Sequence, residues 1–356
     1  MRANKDADLR MAIYPVVESQ IARVLHRSPD FWNCAEEVWN VSEGERQRFP
    51  KAIYLPGQLE RIESTVFGSL NDTIVALIKD EEQNISPTVA ARFRDVLLFD
   101  GVLYKSGAVH HLAKRTRFAP PLGQAPRIRL GSLYDSWVGV RYFGNWLMDD
   151  CETYRLAEAT GQPVTIHPSA SGHRQEYEQR LSISPMRTSF AHFEELILFN
   201  DLANNSGKRA RAADRRRRLV GTIPPVAAHP GVFLMRGQTG DPRLLVDEQR
   251  LAEGLAAKYG IKIVHIMEHS VESLVKLCAG ARLLIGVEGS QLTHALAAMP
   301  PGGTMLVLMP PDRVTSAMKL MTDRLDLNFA MVIGSGTTGG FKINSNEIEA
   351  TLDLLP

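Results

Sequence analysis

Short apolar runs alternate with helix-period stretches through the C-terminal part of the chain, and this alternation predicts a parallel α/β unit. Val232–Met235 is a buried-strand signal. From Asp247 to Tyr259 the positions Leu251, Leu255 and Ala256 keep helical spacing, and Gly260 follows where a C-cap glycine belongs. Ile261–Ile266 predicts a second strand, Ser270 caps a helix over Val271–Ala279, and Leu283–Val287 predicts a third strand. Glu288-Gly289-Ser290 then turns into a short helical stretch. Pro300-Pro301-Gly302-Gly303 breaks that stretch, and Met305–Leu308 predicts a fourth strand. The order βαβαβαβ implies a parallel sheet covered on both faces, with right-handed crossovers. Ala330–Ile333 predicts a further strand and residues 334–340, GSGTTGG, a flexible loop. Ser345 caps a last helix, Glu347–Leu355, expected to pack back on the first domain.

The N-terminal half is less regular. Asp8–Leu25 has helical spacing interrupted by Pro15, and Asp95–Tyr104 predicts a hairpin about Asp100-Gly101. Trp137–Leu156 reads as strand or loop leading into a helix, with strands expected at Val164–Ile166 and Leu196–Phe199. At 356 residues the chain is long for one core. The expected division is an α/β domain over 1–218, a Rossmann-like domain over 219–335, and a terminal loop and helix over 336–356.

Charge changes this picture little. With 41 Lys+Arg against 40 Asp+Glu, the net charge of +1 gives no general attraction to nucleic acid. The basic run over 204–218 is therefore expected to be a solvated helix face at the domain seam. Cys34, Cys151 and Cys278 form no CxxC pair, so neither a zinc site nor a disulfide framework is expected. The charged N-terminus lacks a signal-peptide core, and no run approaches the roughly 18 apolar residues of a membrane span. A cytoplasmic protein is expected, with homo-oligomerisation left open.

The loop after the third predicted strand carries the first chemical signal. Small residues at Gly289 and Ser290 let backbone N–H groups approach an anion. Arg236 stands at the carboxyl end of a predicted parallel strand, where open α/β sheets bind ligands. No GxGxxG opens any βαβ unit, which argues against a dehydrogenase or methyltransferase.

GVEGSQLTHALAAMPPGG resembles the signature of glycosyltransferase family 61, a Gly-x-His-Gly-Ala-x-Leu-Thr-Asn pattern leading into a Pro-Pro-Gly break. Gly286, Gly289, Leu292, Thr293, Pro300, Pro301 and Gly302 match it. Arg236, Arg243 and Asp247-Glu248 are similar to a second family block, and RYFGNWLMDD resembles a third, Tyr/Phe-Gly-His-Trp-Leu-x-Asp. The resemblance spans roughly residues 95–310. Departures are Asn145 and Glu288 for histidines, Ser290 for alanine and His294 for asparagine.

The resemblance implies a GT-B-like α/β fold, two Rossmann-like domains facing a cleft. It also implies a bacterial type of enzyme moving sugar from a nucleotide-sugar donor to a glycan acceptor in polysaccharide biosynthesis. Such transfer needs positive charge for the leaving diphosphate and, with inversion, a base for the acceptor hydroxyl. Arg236 and Arg243 are the candidates for the diphosphate, with Gly289, Ser290 and His294 beside them. Asp149 is the candidate base, with Glu288 as a second catalytic carboxylate. Asn145 and Trp146 complete the substrate-binding set. The only Asp-x-Asp, Asp6-Ala7-Asp8, has no strand before it, so neither a metal nor another cofactor is expected. The departures at Asn145 and Glu288 motivate an alternative, a degenerate relative that binds nucleotide sugar or a partner without turnover.

Overall fold

The structure is a computed structural model and describes residues 13–121, 123–237 and 241–356. The fold is mixed α/β, and the chain divides into two compact units, residues 1–43 with 87–203 and residues 44–86 with 204–356. This moves the expected boundary from 218/219 to 203/204 and transfers 44–86 to the second unit. Asp6 and Asp8 lie outside the described residues.

Unit 1 is built on strands β1 (Glu37–Ser42), β2 (Thr88–Phe99), β3 (Val102–Lys105), β4 (Ala108–His111), β5 (Arg127–Leu133), β6 (Gln162–Thr165), β7 (Met186–Arg187) and β8 (Phe190–Asn200). Their sheet order is β4-β3-β2-β8-β5-β6-β7, with β1 beside β2. The β8-β5-β6-β7 side is parallel and the remainder antiparallel. The expected hairpin is present, with Asp100 and Gly101 at φ 48° and 75°, as a type I′ turn requires. Helix α1 (Ile13–Val24) runs through Pro15, because the first turn of a helix has no use for that N–H. The segment expected as strand or loop is helical: α2 (Trp137–Arg141), a turn at Phe143–Asn145, a π-helical turn at Trp146–Asp150, then α3 (Cys151–Thr160). Helix α4 (Gly172–Leu181) follows β6.

Unit 2 contains α5 (Ser206–Val220), β9 (His229–Leu234), α6 (Glu248–Tyr259), β10 (Lys262–Val264), α7 (Val271–Cys278), β11 (Ala281–Val287), α8 (Thr293–Leu296), β12 (Thr304–Met309), α9 (Ala317–Arg324), β13 (Asn328–Ile333) and α10 (Ser345–Leu352). Its sheet is wholly parallel in the order β10-β9-β11-β12-β13. Within the unit this reads 2-1-3-4-5, so the winding reverses between β9 and β11. β12 is buried along its whole length, as burial on both faces demands. Gly260 caps α6 at φ 68°, and the Ser270 side chain accepts the Ser273 N–H to cap α7.

Several expectations are corrected here. Residues 335–342 form a small antiparallel ladder rather than a flexible loop. Helix α9 had no clear period in the sequence. Asn344, not Ser345, caps α10, which packs in unit 2: Ile348 joins Phe233, Leu306 and Phe341 in its core. Within the same unit Arg61 forks onto Glu347 at 2.8 and 2.6 Å, and Ile53 bridges to Ala330 of β13.

The basic run is not a solvated face either. Lys208 and Arg215 of α5 are buried, Arg209 pairs with Asp326, and the Arg216 Nε donates to the Ala298 and Met299 carbonyls. No described helix is long and apolar enough to cross a membrane.

Candidate functional site

Unit 2 gathers its charged groups at the carboxyl ends of β9, β11 and β12. Arg236 leaves β9 at the switch point and is 9% exposed. Its backbone N–H donates to Glu248 Oε1 at 2.9 Å, which anchors the strand end to the first turn of α6. Its Nη1 donates to Gln291 Oε1 at 3.1 Å and its Nη2 to the Asp241 carbonyl at 2.9 Å. The guanidinium is thus aimed across the gap between β9 and β11.

Arg243 lies against Glu288, its Nε 2.7 Å from Oε2, but out of line for a hydrogen bond. Glu288 is 6% exposed and sits at the end of β11. A third guanidinium, which the sequence reading missed, comes from Arg313 beyond β12; its Nη2 holds Asp241 at 3.0 Å. The rule that selected Arg236 also selects Arg313, since both follow the carboxyl end of a parallel strand. Burial pulls Arg236 and Arg243 below the usual arginine range, with Glu288 acting against that and the neighbouring arginines adding to it. Among the described residues the buried Nε–H groups of Arg236 and Arg313 have no acceptor, while that of Arg243 faces Glu288 as an ion pair. Leaving such donors unmet costs about 1–3 kcal/mol each.

Gly289 fits this arrangement sterically. It has φ 154°, and a Cβ there would overlap Gln291 Oε1 and stand 3.1 Å from Arg236 Cζ. Upstream, a Cβ on Gly286 would meet the Leu234 carbonyl and Leu292 Cδ2, each at 2.7 Å. Both glycines therefore serve close approach. Ser290 opens a 3-10 turn, Ser290–Leu292, and its carbonyl accepts from Thr293 Oγ1 at 2.6 Å. His294 is buried in α8. That helix has only four residues, so the expected helix field is small and the arginines dominate the electrostatics.

Unit 1 holds the other candidates. Trp146 is 1% exposed, with the Arg174 guanidinium 4.6 Å over its ring and Phe143 at 5.6 Å. Its ring packs inside unit 1. Asn145 donates from Nδ2 to Asp149 Oδ2 at 2.9 Å and so orients that carboxylate, which is 6% exposed. Asp150 turns elsewhere: its Oδ1 accepts the Ser136 N–H and, at 2.7 Å, the Ser136 hydroxyl, while Oδ2 is buried without a partner among the described residues. Burial, then repulsion from Asp135, raises its pKa well above the carboxylate range.

Asp135 follows β5 and accepts the Ile166 N–H at 2.6 Å and the Thr165 hydroxyl at 2.7 Å. Burial lifts its pKa to about 6, although these bonds oppose the rise. His167, after β6, has its Nε2 4.0 Å from Asp135 Oδ1, and burial with Arg174 and Arg187 pushes its pKa down to about 3.

Asp135, Asp150 and His167 lie within 4.8 Å of one another, spacing on which a metal could be held. The chemistry of the set does not fit one. Arg174 Nη1 is 2.5 Å from His167 Nδ1, leaving the ring proton on Nε2, the nitrogen that would face an ion. His110 packs its ring near Phe31 and Trp32, and the three cysteines are free thiols.

A family model, glycosyltransferase 61, matches residues 70–306, more than half of the chain. No curated protein matches.

Proposed function

The chain belongs to glycosyltransferase family 61, and from that premise we propose that unit 2 binds the diphosphate of a nucleotide-sugar donor through Arg236, Arg243 and Arg313. The protein is an enzyme, a glycosyltransferase, and so acts on a donor and an acceptor. The observation that carries the proposal is the cluster of Arg236, Arg243 and Arg313, in which the buried Nε–H groups of Arg236 and Arg313 have no acceptor among the described residues, on loops that follow β9 and β12 at a sheet whose winding reverses between β9 and β11. A diphosphate supplies acceptor oxygens for such donors, in charge-assisted bonds of about 1.5–3 kcal/mol each. The proposal extends to a GT-B arrangement, inverting transfer without a metal, and a glycan acceptor of polysaccharide biosynthesis.

In this reading Glu288 holds Arg243, and Asp149, oriented by Asn145, takes the proton of the acceptor hydroxyl. Asp149 fits the role better than Asp150, because Asn145 orients its carboxylate whereas Asp150 is held by Ser136.

Two titrations test the proposal. Arg236→Ala should weaken UDP or GDP binding by about tenfold to a hundredfold by calorimetry, with thermal unfolding still cooperative. Unchanged affinity removes Arg236 from the diphosphate site. Asp149→Asn should keep donor binding and lose about 10²–10⁴ in turnover; a fully active variant removes Asp149 as base.

A further inference from the structure

Unit 1 has a cavity of about 410 Å³ lined by Leu112, Ala113, Lys114, Trp137, Val140 and Arg141. We propose that it binds a lipid phosphate, with the hydrocarbon chain in the cavity and the phosphate between Lys114 and Arg141. One wall is the face of α2 that carries Trp137, Val140 and Arg141 at positions i, i+3 and i+4. The other is the segment after β4, pinned by Leu112 and Ala113 N–H bonds to the Gly101 carbonyl at 2.9 and 3.0 Å.

The lining is mainly apolar, and the Trp137 indole is 44% exposed, which is unusual for a side chain of that size. Its charge has one sign. Among the described residues neither Lys114 nor Arg141 has a carboxylate partner, and the Arg141 guanidinium lies 5.0 Å from the Tyr142 ring. Asp100, a carboxylate that meets the same loop, is occupied by the Thr116 and Arg117 N–H groups. An apolar slot with two uncompensated cations at its rim is complementary to an anionic amphiphile. Phe118, 87% exposed in the same loop and next to the exposed Arg117, adds an aromatic and a cation of the kind that sit at lipid headgroups. A glycan would need a polar lining to meet its hydroxyls, and this cavity offers little.

The test is binding, with no dependence on the donor site. Decyl phosphate, below its micelle-forming concentration, is titrated calorimetrically into the full chain. Affinity should exceed that for inorganic phosphate or neutral decyl glucoside by at least about tenfold, and should rise from hexyl to octyl to decyl phosphate. Lys114→Ala with Arg141→Ala should lose about tenfold or more, while Arg141→Lys should retain most of the affinity. Equal binding of decyl phosphate and decyl glucoside, no dependence on chain length, or an unchanged double variant would each overturn the assignment. UDP affinity in the same double variant should stay at the wild-type value, which keeps this site separate from the Arg236 reading.

Discussion

At the scale of single residues, Gly289 and Glu288 decide how Arg236 and Arg243 are held. Gly289→Ala places a methyl group against Arg236 and Gln291 and imposes a backbone angle that side chains rarely adopt. A loss of about 1–3 kcal/mol in stability is expected, with weaker UDP binding from the displaced guanidinium; denaturant unfolding and calorimetry measure the two separately. Glu288→Gln leaves Arg243 buried without its carboxylate, so the free protein should lose about 3–5 kcal/mol. If the diphosphate then takes over that role, UDP should raise the variant's melting temperature more than the wild type's. An equal shift in both would separate Arg243 from the ligand. Arg236 and Gly289 were legible because strand ends and glycine turns have local signatures. Arg313 obeys the same rule but was passed over, since PPDR reads first as a plain turn.

Elements set the pH response of unit 1, because the ends of β5 and β6 bring Asp135 and His167 together inside the protein. Their contributions have opposite signs. Asp135, raised from 3.8 to about 6, contributes stability below pH 3.8 that is lost as pH rises to about 6. His167, lowered from 6.5 to about 3, contributes stability above pH 6.5 that is lost as pH falls towards 3. The histidine shift is the larger, so this pair should lose stability on acidification, damped by Asp135. His167→Gln removes the proton-binding ring, and its melting temperature should gain on the wild type between pH 6.5 and 4; a constant difference across that range would show that burial does not hold the His167 ring neutral.

The parallel sheet of unit 2 was readable because most of its strands are apolar, largely buried runs punctuated by glycine and proline. The helices around Asp149 were not, since a π turn spreads burial over five consecutive residues, Trp146 to Asp150, and erases the helical period. Trp146 shows the consequence. The four residues after it are buried as it is, so no polar face marks the turn as helix.

For the whole molecule, the boundary error has a single physical source: nothing local in residues 44–86 says which core they join. Ile53 joins β13 and Arg61 joins α10, contacts made with residues more than 270 positions away. The seam sought in a basic run was instead ordinary helix.

The same topology makes unit 1 separable by protein engineering. In the β1–β2 ladder Ser42 stands opposite Thr88, so residues 43 and 87 are one tight turn apart. Replacing 44–86 by Asn-Gly, and stopping at residue 203, would close that ladder as an ordinary hairpin and yield unit 1 as one uninterrupted chain. It should be soluble and melt cooperatively in calorimetry, whereas a fragment cut at residue 218 with 44–86 retained should carry unburied apolar surface and aggregate. A miniature of that kind would be a tool for crystallisation, for isotope labelling and for screening acceptor-like compounds free of competing nucleotide.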